Sequence, residues 1–263
     1  MRKKIKTMVN VLGYNLAKQA PLERQHRLFE LVHPWRTEHE LIRVGGDGDG
    51  GYLLPDDLDG ITACFSPGVS DQASFEEDML ARGVRCFQVD ASVERSPVQE
   101  HPLVQFERKF LGPVTEGHFI SLADWVDDKK VDGDLLLQMD IEGAEWLTLA
   151  ATPDETLKRF RIVCIEFHRL EHLFDQFAFD VMEGVMKKLG ELFYVVHIHA
   201  NNWCDSFGIG ELYRIPGVME YTFIRKDRVR QRPGVVYDFP HRLDRDCHPS
   251  FPPVKIHKSI LGL

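Results

Sequence analysis

Acidic and imidazole side chains stand at the ends of three apolar runs in this sequence of 263 residues. Asp140 ends the first run. Glu166 and His168 end the second, and the third ends at His197 and His199. A carboxylate beside an imidazole can hold a divalent cation such as Mg²⁺, Mn²⁺ or Zn²⁺, and such a cation lowers the pKa of a bound hydroxyl. Asp140, Glu166 and His168 are therefore predicted metal ligands.

The same imidazoles could act without a metal. A neutral imidazole accepts a proton near neutral pH, so His168 or His199, with Asp140 nearby, is an alternative general base. Each histidine could equally be a hydrogen-bonded core residue with no chemical role. The convergence of three strand ends favours a functional site, because the carboxyl ends of parallel strands meet at one edge of a sheet.

The apolar runs belong to an alternation of strand and helix patterns, which is typical of a parallel sheet in an α/β fold. Helical spacing of apolar residues predicts helices over 71–82 and 177–189, and residues 1–40 also look helical up to Pro34. The predicted strands are Ile61–Ser66, Val84–Asp90, Phe119–Leu122, Asp134–Asp140, Arg161–His168, Phe193–His199 and Met219–Arg225.

A turn with a glycine at its centre follows the first predicted strand. Gly68 has no Cβ, so the backbone there can approach a nucleotide-like cofactor closely. The second strand ends at Asp90, roughly twenty residues further on, where an acid accepts hydrogen bonds from ribose hydroxyls. This spacing favours a cofactor site over a tight turn in which Ser70 or Asp71 caps a helix. The dinucleotide fingerprint GxGxxG is absent.

Residues 45–51 read GGDGDGG and predict a flexible turn. An EF-hand loop beginning at Asp47 would need a glutamate where Leu58 stands, so a calcium loop is excluded. The Gly-Lys-Ser/Thr ending of a P-loop is also absent. Two interpretations stay open: the turn closes over a ligand through Asp49 and Tyr52, or it is purely structural.

Polar and aromatic residues follow the third strand end. Asn201 and Asn202 offer amide donors and acceptors suited to a polyol, although asparagine also forms turns. Trp146, Trp203 and Phe207 could form an apolar wall for a sugar ring, or could simply pack in the fold.

Composition narrows the possible partners and the location. A formal charge of −9, from 41 acidic and 32 basic side chains, opposes a non-specific hold on nucleic acid phosphates and suits a neutral, sugar-like substrate. Five scattered cysteines without a CxxC pair predict reduced thiols in a cytoplasmic protein. No apolar run reaches the ~18 residues of a membrane span, although the basic segment 2–6 could touch a membrane surface weakly.

The chain is expected to divide into a helical extension (1–42), a catalytic domain (43–226) and an irregular tail packed on that domain (227–263).

Four segments together resemble the FkbM-type methyltransferases, a family of S-adenosylmethionine-dependent O-methyltransferases. The segments are GDGDGGY at 46–52, MDIEGAEW at 139–146, IEFH at 165–168 and HIHANN at 197–202. The resemblance implies a Rossmann-like class I fold. Together with the strands and helices predicted above, it leads us to expect a seven-stranded, mostly parallel sheet with helices on both faces and an N-terminal helical cap, the last two strands forming a hairpin. It also implies methyl transfer to a hydroxyl, commonly of a saccharide or a polyketide-related acceptor. We predict an acceptor that is a sugar, a glycan or another small molecule with a hydroxyl group.

The resemblance also assigns residues to the two ligands. The implied contacts of S-adenosylmethionine are Gly68 and Asp90, and the residues implied to surround the acceptor are Asp140, Glu142, Glu166, His168, His199 and Asn201. Beyond the resemblance, Ser70, Ser92, Leu122 and Asp49 are predicted cofactor contacts, and His197, Asn202 and Tyr52 are predicted acceptor contacts. The layout of Asp140, Glu166 and His168 further resembles the metal site of cation-dependent O-methyltransferases. Those enzymes often have a lysine base where this chain has Gly143.

Two other classes of function stay open at the level of sequence. A metal-dependent hydrolase could use the same acids and histidines around an activated water. A non-catalytic binding module could keep the fold and lose the reaction. Such a module would be expected to have apolar replacements among the strand-end acids, and this sequence has none.

Overall fold

The computed structural model describes residues 9, 11, 16–208, 214–231, 233–235, 239–256, 258 and 260. The basic segment 2–6, on which the expected membrane contact depends, lies outside these residues. The strands are β1 (Trp35–Arg36), β2 (Leu41–Val44), β3 (Tyr52–Pro55), β4 (Ile61–Pro67), β5 (Arg85–Val89), β6 (Val104–Glu107), β7 (Phe110–Gly112), β8 (Phe119–Ser121), β9 (Asp134–Met139), β10 (Phe160–Phe167), β11 (Phe193–Ala200), β12 (Ser206–Gly208), β13 (Arg214–Pro216), β14 (Met219–Arg225) and β15 (Gly234–Val235). The α-helices are α1 (Leu22–Val32), α2 (Ser74–Ala81), α3 (Leu122–Lys129), α4 (Glu145–Ala151), α5 (Asp154–Leu157) and α6 (Gln176–Leu192).

Seven of these strands form one sheet in the order β11-β14-β10-β9-β4-β5-β6. Only β14 runs antiparallel to its neighbours, β10 and β11. The chain passes from β4 outward through β5 and β6, and then returns to β9 on the other side of β4. Open α/β sheets bind ligands beside such a reversal, at the carboxyl ends of the strands. The predicted Rossmann-like class I fold with a seven-stranded, mostly parallel sheet is confirmed, and its last two strands, β11 and β14, pair antiparallel.

Side chains alternate between the two faces of the sheet, and different elements cover each face. Phe65 and Leu137 belong to the larger core, which α1, α3, α4 and α6 cover. Cys64 and Leu136 belong to the smaller core, beneath α2 and the hairpin of β2 and β3. Strand β10 is buried at every residue, as expected of a parallel strand covered on both faces. Burying each large apolar side chain stabilises the fold by about 1.5–3 kcal/mol. The strand β10, which carries Glu166, is therefore held firmly in the sheet.

One predicted strand lies outside the main sheet. Phe119–Ser121 pairs with Phe110–Gly112 in a separate parallel pair. The main sheet ends instead at β6, whose sequence Val-Gln-Phe-Glu is only partly buried. A short edge strand with two polar residues has little of the apolar signal that identifies a buried strand, so the pattern did not reveal it.

The two predicted helices are present with shifted ends. Residues 71–82 contain α2, and residues 177–189 fall inside the longer α6. Helix α6 begins after Asp175, whose carboxylate accepts a hydrogen bond from the Ala178 backbone N–H at 2.9 Å. A carboxylate in this capping position satisfies a donor that has no partner within the helix.

The two ends of the chain meet on one side of the sheet. Within the stretch expected to be helical, α1 is a helix, whereas Trp35–Arg36 is a short strand that pairs with β15 of the tail. Pro34 ends the helical pattern as expected, because proline disfavours helix in the residue before it. The tail is mostly irregular, but Ile260 is fully buried in the larger core.

No helix among the described residues combines the length and the apolar character that crossing a membrane requires.

Candidate active site

Gly68 lies at the switch point, where the ends of β4 and β9 come closest. Its φ angle is +87°, and a Cβ added there would lie 1.5 Å from the backbone oxygen of Asp140. The Gly68 N–H donates to the Val89 backbone oxygen at 3.1 Å, which ties the turn to the end of β5. Both the left-handed φ and the close backbone contact require glycine. The turn therefore leaves the strand ends open to a ligand.

A cavity of about 430 Å³ opens beside this turn, within the ~300–1,000 Å³ range of small-molecule sites. Asp90 is at its wall, and its Oδ1 accepts hydrogen bonds from Ser92 N at 2.7 Å and Ser92 Oγ at 2.6 Å. The rings of Phe110 and Phe119 lie 5.7 Å apart, centroid to centroid, and both are partly exposed. The cavity is lined by Gly68, Val89, Asp90, Ser92, Phe110, Leu111, Phe119, Asp140, Ile141, Glu142 and Ala144. We call it the switch-point cleft.

His168 stands among three carboxylates at the end of β10. Its Nε2 lies 3.8 Å from Asp140 Oδ1 and 3.4 Å from Glu142 Oε2, and its Nδ1 lies 3.2 Å from Glu145 Oε1. Burial lowers the pKa of His168, but the hydrogen bond to Glu145 and the charges of the three carboxylates outweigh burial and raise it above 6.5. The imidazole is therefore held in one orientation, with Nε2 directed at Asp140 and Glu142.

Glu145 shapes the loop that carries these acids. Its side chain is fully buried, and Oε1 accepts hydrogen bonds from the backbone N–H groups of Ile141 at 3.0 Å and Gly143 at 3.1 Å. Glu142 and Gly143, within this loop, have left-handed φ angles of +56° and +106°. A non-glycine residue rarely adopts this conformation without a supporting structure. Glu145 supplies that support and orients His168 with the same oxygen.

Glu166 lies behind Asp140 and does not join the carboxylates that face His168. The Asp140 carboxyl donates a hydrogen bond to Glu166, and Asn201 Nδ2 donates to Glu166 Oε1 at 2.6 Å. Burial and the neighbouring negative charge of Glu166 raise the pKa of Asp140. Burial and the charge of Glu220 raise the pKa of Glu166 to about 8. The two carboxyl groups therefore hold a proton at neutral pH.

Glu166→Gln is expected to stabilise the metal-free protein at alkaline pH. Folding raises the pKa of Glu166 from 4.5 to about 8, so the folded state binds more protons than the unfolded state between these values. Stability is therefore lost as the pH rises from about 4.5 through about 8. The neutral glutamine removes this loss and can still accept the hydrogen bond from Asn201. We expect a gain on the order of 2 kcal/mol above the folded pKa, measured by urea unfolding in EDTA.

Glu155→Gln is the matched control, because the Glu155 side chain is 83% exposed. Its stability should follow the pH profile of the wild type. A Glu166→Gln profile that also runs parallel to the wild type would contradict the raised pKa of Glu166.

A second cleft, of about 250 Å³, lies on the other side of His168. Glu142 lines both clefts, so they meet at the loop between β9 and α4. Most of the residues that line the second cleft have polar side chains, and one, Phe207, has an aromatic ring. It is lined by Glu142, His168, Arg169, Glu171, Cys204, Asp205, Phe207, Gly217 and Val218. We call it the polar cleft.

Comparison with family models finds one domain within the chain. The family model described as "Methyltransferase FkbM domain" matches residues 67–193. Residues 67–193 form an FkbM methyltransferase domain. The resemblance expected from the sequence is confirmed over this span, and the chain therefore carries a methyltransferase domain. No curated protein matches the chain in sequence.

Two solved structures resemble the chain more distantly. One, described as "Putative hemolysin from Streptococcus thermophilus", has 12% identity and a TM-score of 0.38 over 65% of this chain and 62% of that chain. The chain thus spans 62% of the length of that structure. The other, a "putative methyltransferase from Thermoplasma acidophilum", has 11% identity and a TM-score of 0.35 over 65% of this chain and 70% of that chain.

The FkbM domain brings most of the predicted chemistry together at the switch point. Gly68, Asp90 and Ser92 line the switch-point cleft with Asp140, and Asp140 faces His168 across its rim. In the predicted metal set, Glu142 occupies the position expected for Glu166: the ligand atoms of Asp140, Glu142 and His168 lie within 4.8 Å of one another. Glu166 instead acts on this group through its hydrogen bond with Asp140.

Three residues expected at the cofactor lie elsewhere. Leu122 is 1% exposed in the larger core, because it is the first residue of α3 and faces the sheet. Ser70 is exposed, and its hydroxyl donates to Asp71 at 3.1 Å. Asp49 is exposed on the glycine-rich turn, close enough to Glu142 and Glu220 for their charges to act on it.

Three residues that were predicted to contact the acceptor instead have side chains that pack against or hydrogen-bond to other parts of the protein. Tyr52 is 2% exposed, and its ring packs edge-on against Phe75 in the smaller core. His197 is buried, with Nε2 2.8 Å from Asp244 Oδ1 of the tail. Asn202 donates both amide protons to backbone oxygens of the tail, those of His248 at 2.9 Å and Phe251 at 3.0 Å. These side chains hold the hairpin and the tail in place.

His199 and Asn201 also make contacts that differ from those predicted. His199, the alternative base, lies 3.4 Å from Glu220 of β14 and, among the described residues, contributes to neither cleft. Asn201 reaches the site only through Glu166. Both residues follow the end of the matched FkbM span at 193.

The sequence alone gives no role to Glu145 or to the pair Phe110 and Phe119. Glu145 begins α4, and an acid in the first turn of a helix usually needs no other explanation than the helix dipole. Phe110 and Phe119 come together only because β7 and β8 pair with each other. The only sequence signal for this pair is that each phenylalanine lies in a short segment. The structure then shows that both rings are partly exposed, as is common at a binding site.

Proposed function

We propose that this protein transfers a methyl group from S-adenosylmethionine to a hydroxyl of a sugar or glycan. One observation carries the proposal: the switch-point cleft and the polar cleft meet at Glu142, with His168 and Asp140 between them. A donor in the first cleft and an acceptor in the second would face each other at an imidazole. Alignment of the two reactants is most of what a methyl transfer requires from the protein.

The residues of the switch-point cleft fit S-adenosylmethionine, whose sulfonium supplies an electrophilic methyl group when bound. Gly68 keeps the space beside Asp140 free of a side chain. Asp90, fixed by Ser92, ends the second strand and would accept hydrogen bonds from the ribose hydroxyls. The partly exposed rings of Phe110 and Phe119 offer apolar faces for an adenine.

The polar cleft suits a polyol acceptor. Arg169 offers donors, and Glu142, Glu171 and Asp205 offer acceptors at the walls of the cleft. Phe207, whose side chain is 38% exposed, offers an apolar face of the kind on which a sugar ring packs. A cleft with mixed donors and acceptors orients hydroxyl groups better than it holds an anion.

His168 is the proposed general base. With a proton on Nδ1 donated to Glu145, the lone pair on Nε2 is free to accept the proton of the acceptor hydroxyl. Glu142, 3.4 Å from Nε2, would stabilise the imidazolium that forms. Asp140 donates its proton to Glu166 and lies 3.8 Å from Nε2, on the side of the imidazole that faces the switch-point cleft.

A divalent cation such as Mg²⁺ or Mn²⁺ is compatible with the same group. The two carboxylates of Asp140 and Glu142 and the imidazole of His168 are donors that such a cation accepts. When bound, it would lower the pKa of an acceptor hydroxyl. Asp140 and Glu142 would then serve as ligands, and the proton shared by Asp140 and Glu166 would leave.

The family match favours this proposal over a metal-dependent hydrolase, because a hydrolase has no use for a methyl donor. A purely binding role is disfavoured, because each strand-end acid of the site is present and engaged. The five cysteines are free thiols, which supports the expected cytoplasmic location. The net charge of −9 supports a small neutral acceptor in preference to nucleic acid.

Calorimetric titration with S-adenosylmethionine tests the donor half of the proposal. Asp90→Ala should weaken binding by about 10- to 100-fold, since a hydrogen bond to a charged group contributes about 1.5–3 kcal/mol. Asp71→Ala, at an exposed acid outside the cleft, should bind like the wild type. Saccharides can then be screened for a mass gain of one methyl group. A wild-type protein that does not bind the donor would refute the proposal.

A further inference from the structure

A second cluster of metal-binding side chains lies between the sheet and the tail. His199 on β11, Glu220 on β14 and Cys247 in the tail place their ligand atoms within 4.8 Å of one another. Glu220 Oε1 lies 3.4 Å from His199 Nδ1 and 3.5 Å from Cys247 Sγ. Neither the FkbM span, which ends at residue 193, nor the proposed methyl transfer uses these residues.

The spacing of these atoms agrees with the coordination shell of zinc. Zinc binds nitrogen and oxygen at about 2.0–2.2 Å and sulfur at about 2.3 Å, in tetrahedral geometry. Tetrahedral angles then separate a nitrogen and an oxygen ligand by about 3.4 Å, and an oxygen and a sulfur ligand by about 3.6 Å. The two corresponding separations in the structure, 3.4 Å and 3.5 Å, are close to these values, and the ligand atoms of His199 and Cys247 lie within 4.8 Å of each other.

The electrostatics of the cluster also point to a cation. Glu220 is 7% exposed and lies directly opposite Glu166, itself 4% exposed, in the antiparallel pairing of β10 and β14. Glu166 holds a proton at neutral pH, so Glu220 is the buried negative charge of this pair, and a cation beside a buried carboxylate stabilises it. Zinc with the Glu220 carboxylate and the Cys247 thiolate would form a site with no net charge.

We propose that His199, Glu220 and Cys247 bind one zinc ion that fastens the tail to the sheet. The fourth ligand is a water molecule, because the described residues supply three donors. His199 lines a cavity of about 610 Å³ between β11 and the tail, which gives the ion a path from solvent. Binding releases the Cys247 thiol proton, and the His199 proton where the imidazole is charged, into that solvent.

This inference does not depend on the proposed methyl transfer, and the two metal clusters can be separated by chemistry. The cluster at Asp140, Glu142 and His168 contains no sulfur. Cobalt(II) bound by a thiolate has a charge-transfer absorption that cobalt(II) bound by oxygen and nitrogen lacks. Apo-protein titrated with cobalt(II) should therefore develop this absorption to one equivalent, and zinc should displace the cobalt and remove the absorption.

Cys247→Ser and His199→Gln test the ligands. Cys247→Ser should lose the thiolate absorption, and His199→Gln should weaken cobalt binding at least tenfold. Cys204→Ser, which removes the other half-buried thiol, and Asp140→Asn should both retain the absorption. Circular dichroism confirms that each variant is folded. No thiolate absorption in the wild type, or equal absorption in Cys247→Ser, would overturn the proposal.

Hydrogen exchange gives a second readout that a merely hydrogen-bonded cluster would not change. Zinc should slow exchange at the backbone amides of residues 244–251 in the wild type and in Cys204→Ser, but not in Cys247→Ser. Identical exchange with and without zinc in the wild type would also count against a zinc site.

Discussion

Replacing His168 by alanine is expected to lower the rate of methyl transfer by a factor of about 10²–10⁴, the usual contribution of a general base. Affinity for S-adenosylmethionine should change little, because His168 lines the polar cleft and not the switch-point cleft. The fold should persist, since the hydrogen bond from Trp146 Nε1 goes to the backbone oxygen of His168 at 2.8 Å. Single-turnover kinetics and calorimetry measure the two quantities separately.

Glu145→Gln is the matched variant for the orientation of His168. It keeps an oxygen for the loop N–H groups but removes the charge that raises the pKa of His168. The wild-type rate should rise with pH through a pKa above 6.5, as the imidazole loses its proton, and Glu145→Gln should move this rise to lower pH. A His168→Ala enzyme with a nearly wild-type rate, or one that loses donor binding in equal measure, would refute the base assignment.

Gly68→Ala is expected to abolish donor binding and to destabilise the fold. The new methyl group would lie 1.5 Å from the Asp140 backbone oxygen, so β4 and β9 must separate at the point where the donor is proposed to lie. A left-handed alanine costs about 1–2 kcal/mol, and forced overpacking adds about 1–3 kcal/mol. We expect a total loss of about 2–5 kcal/mol by urea unfolding and no measurable heat of S-adenosylmethionine binding.

Gly83→Ala is the control that separates the strain of a left-handed alanine from the steric clash of the new methyl group with Asp140. Gly83 has a similar φ of +77°, but a Cβ there would meet nothing within 4 Å. This variant should lose only about 1–2 kcal/mol and should bind the donor normally. Equal losses of stability and of binding in both variants would show that the contact with Asp140 is unimportant.

The strands that carry the site could be predicted from the sequence, because a strand that is buried on both faces appears as a run of apolar residues. β9 and β10 lie in the middle of the sheet, are covered on both faces and therefore consist mostly of apolar residues. Asp140 and His168 follow them directly, so their meeting at one sheet edge could be expected from topology alone.

What could not be predicted depends on contacts that no local pattern records. Glu142 faces His168 only because the loop at 141–143 takes a left-handed path around the Glu145 carboxylate. Asn202 was predicted to bind a sugar, but its amide donates a hydrogen bond to the backbone oxygen of His248, which lies 46 residues further along the chain in the tail. The period-2 pattern places a side chain on a face of the sheet, but it does not say which distant segment covers that face.

The two edges of the main sheet are protected in different ways. β6 has only four residues, and a short edge gives another chain few free backbone groups to pair with. β11 has eight residues, and both ends of the polypeptide shelter it: β1 packs against it, β15 pairs with β1, and the tail lies over Ile198. A long bare strand at that position would recruit a second copy edge to edge, so the two chain ends together act as a guard against aggregation.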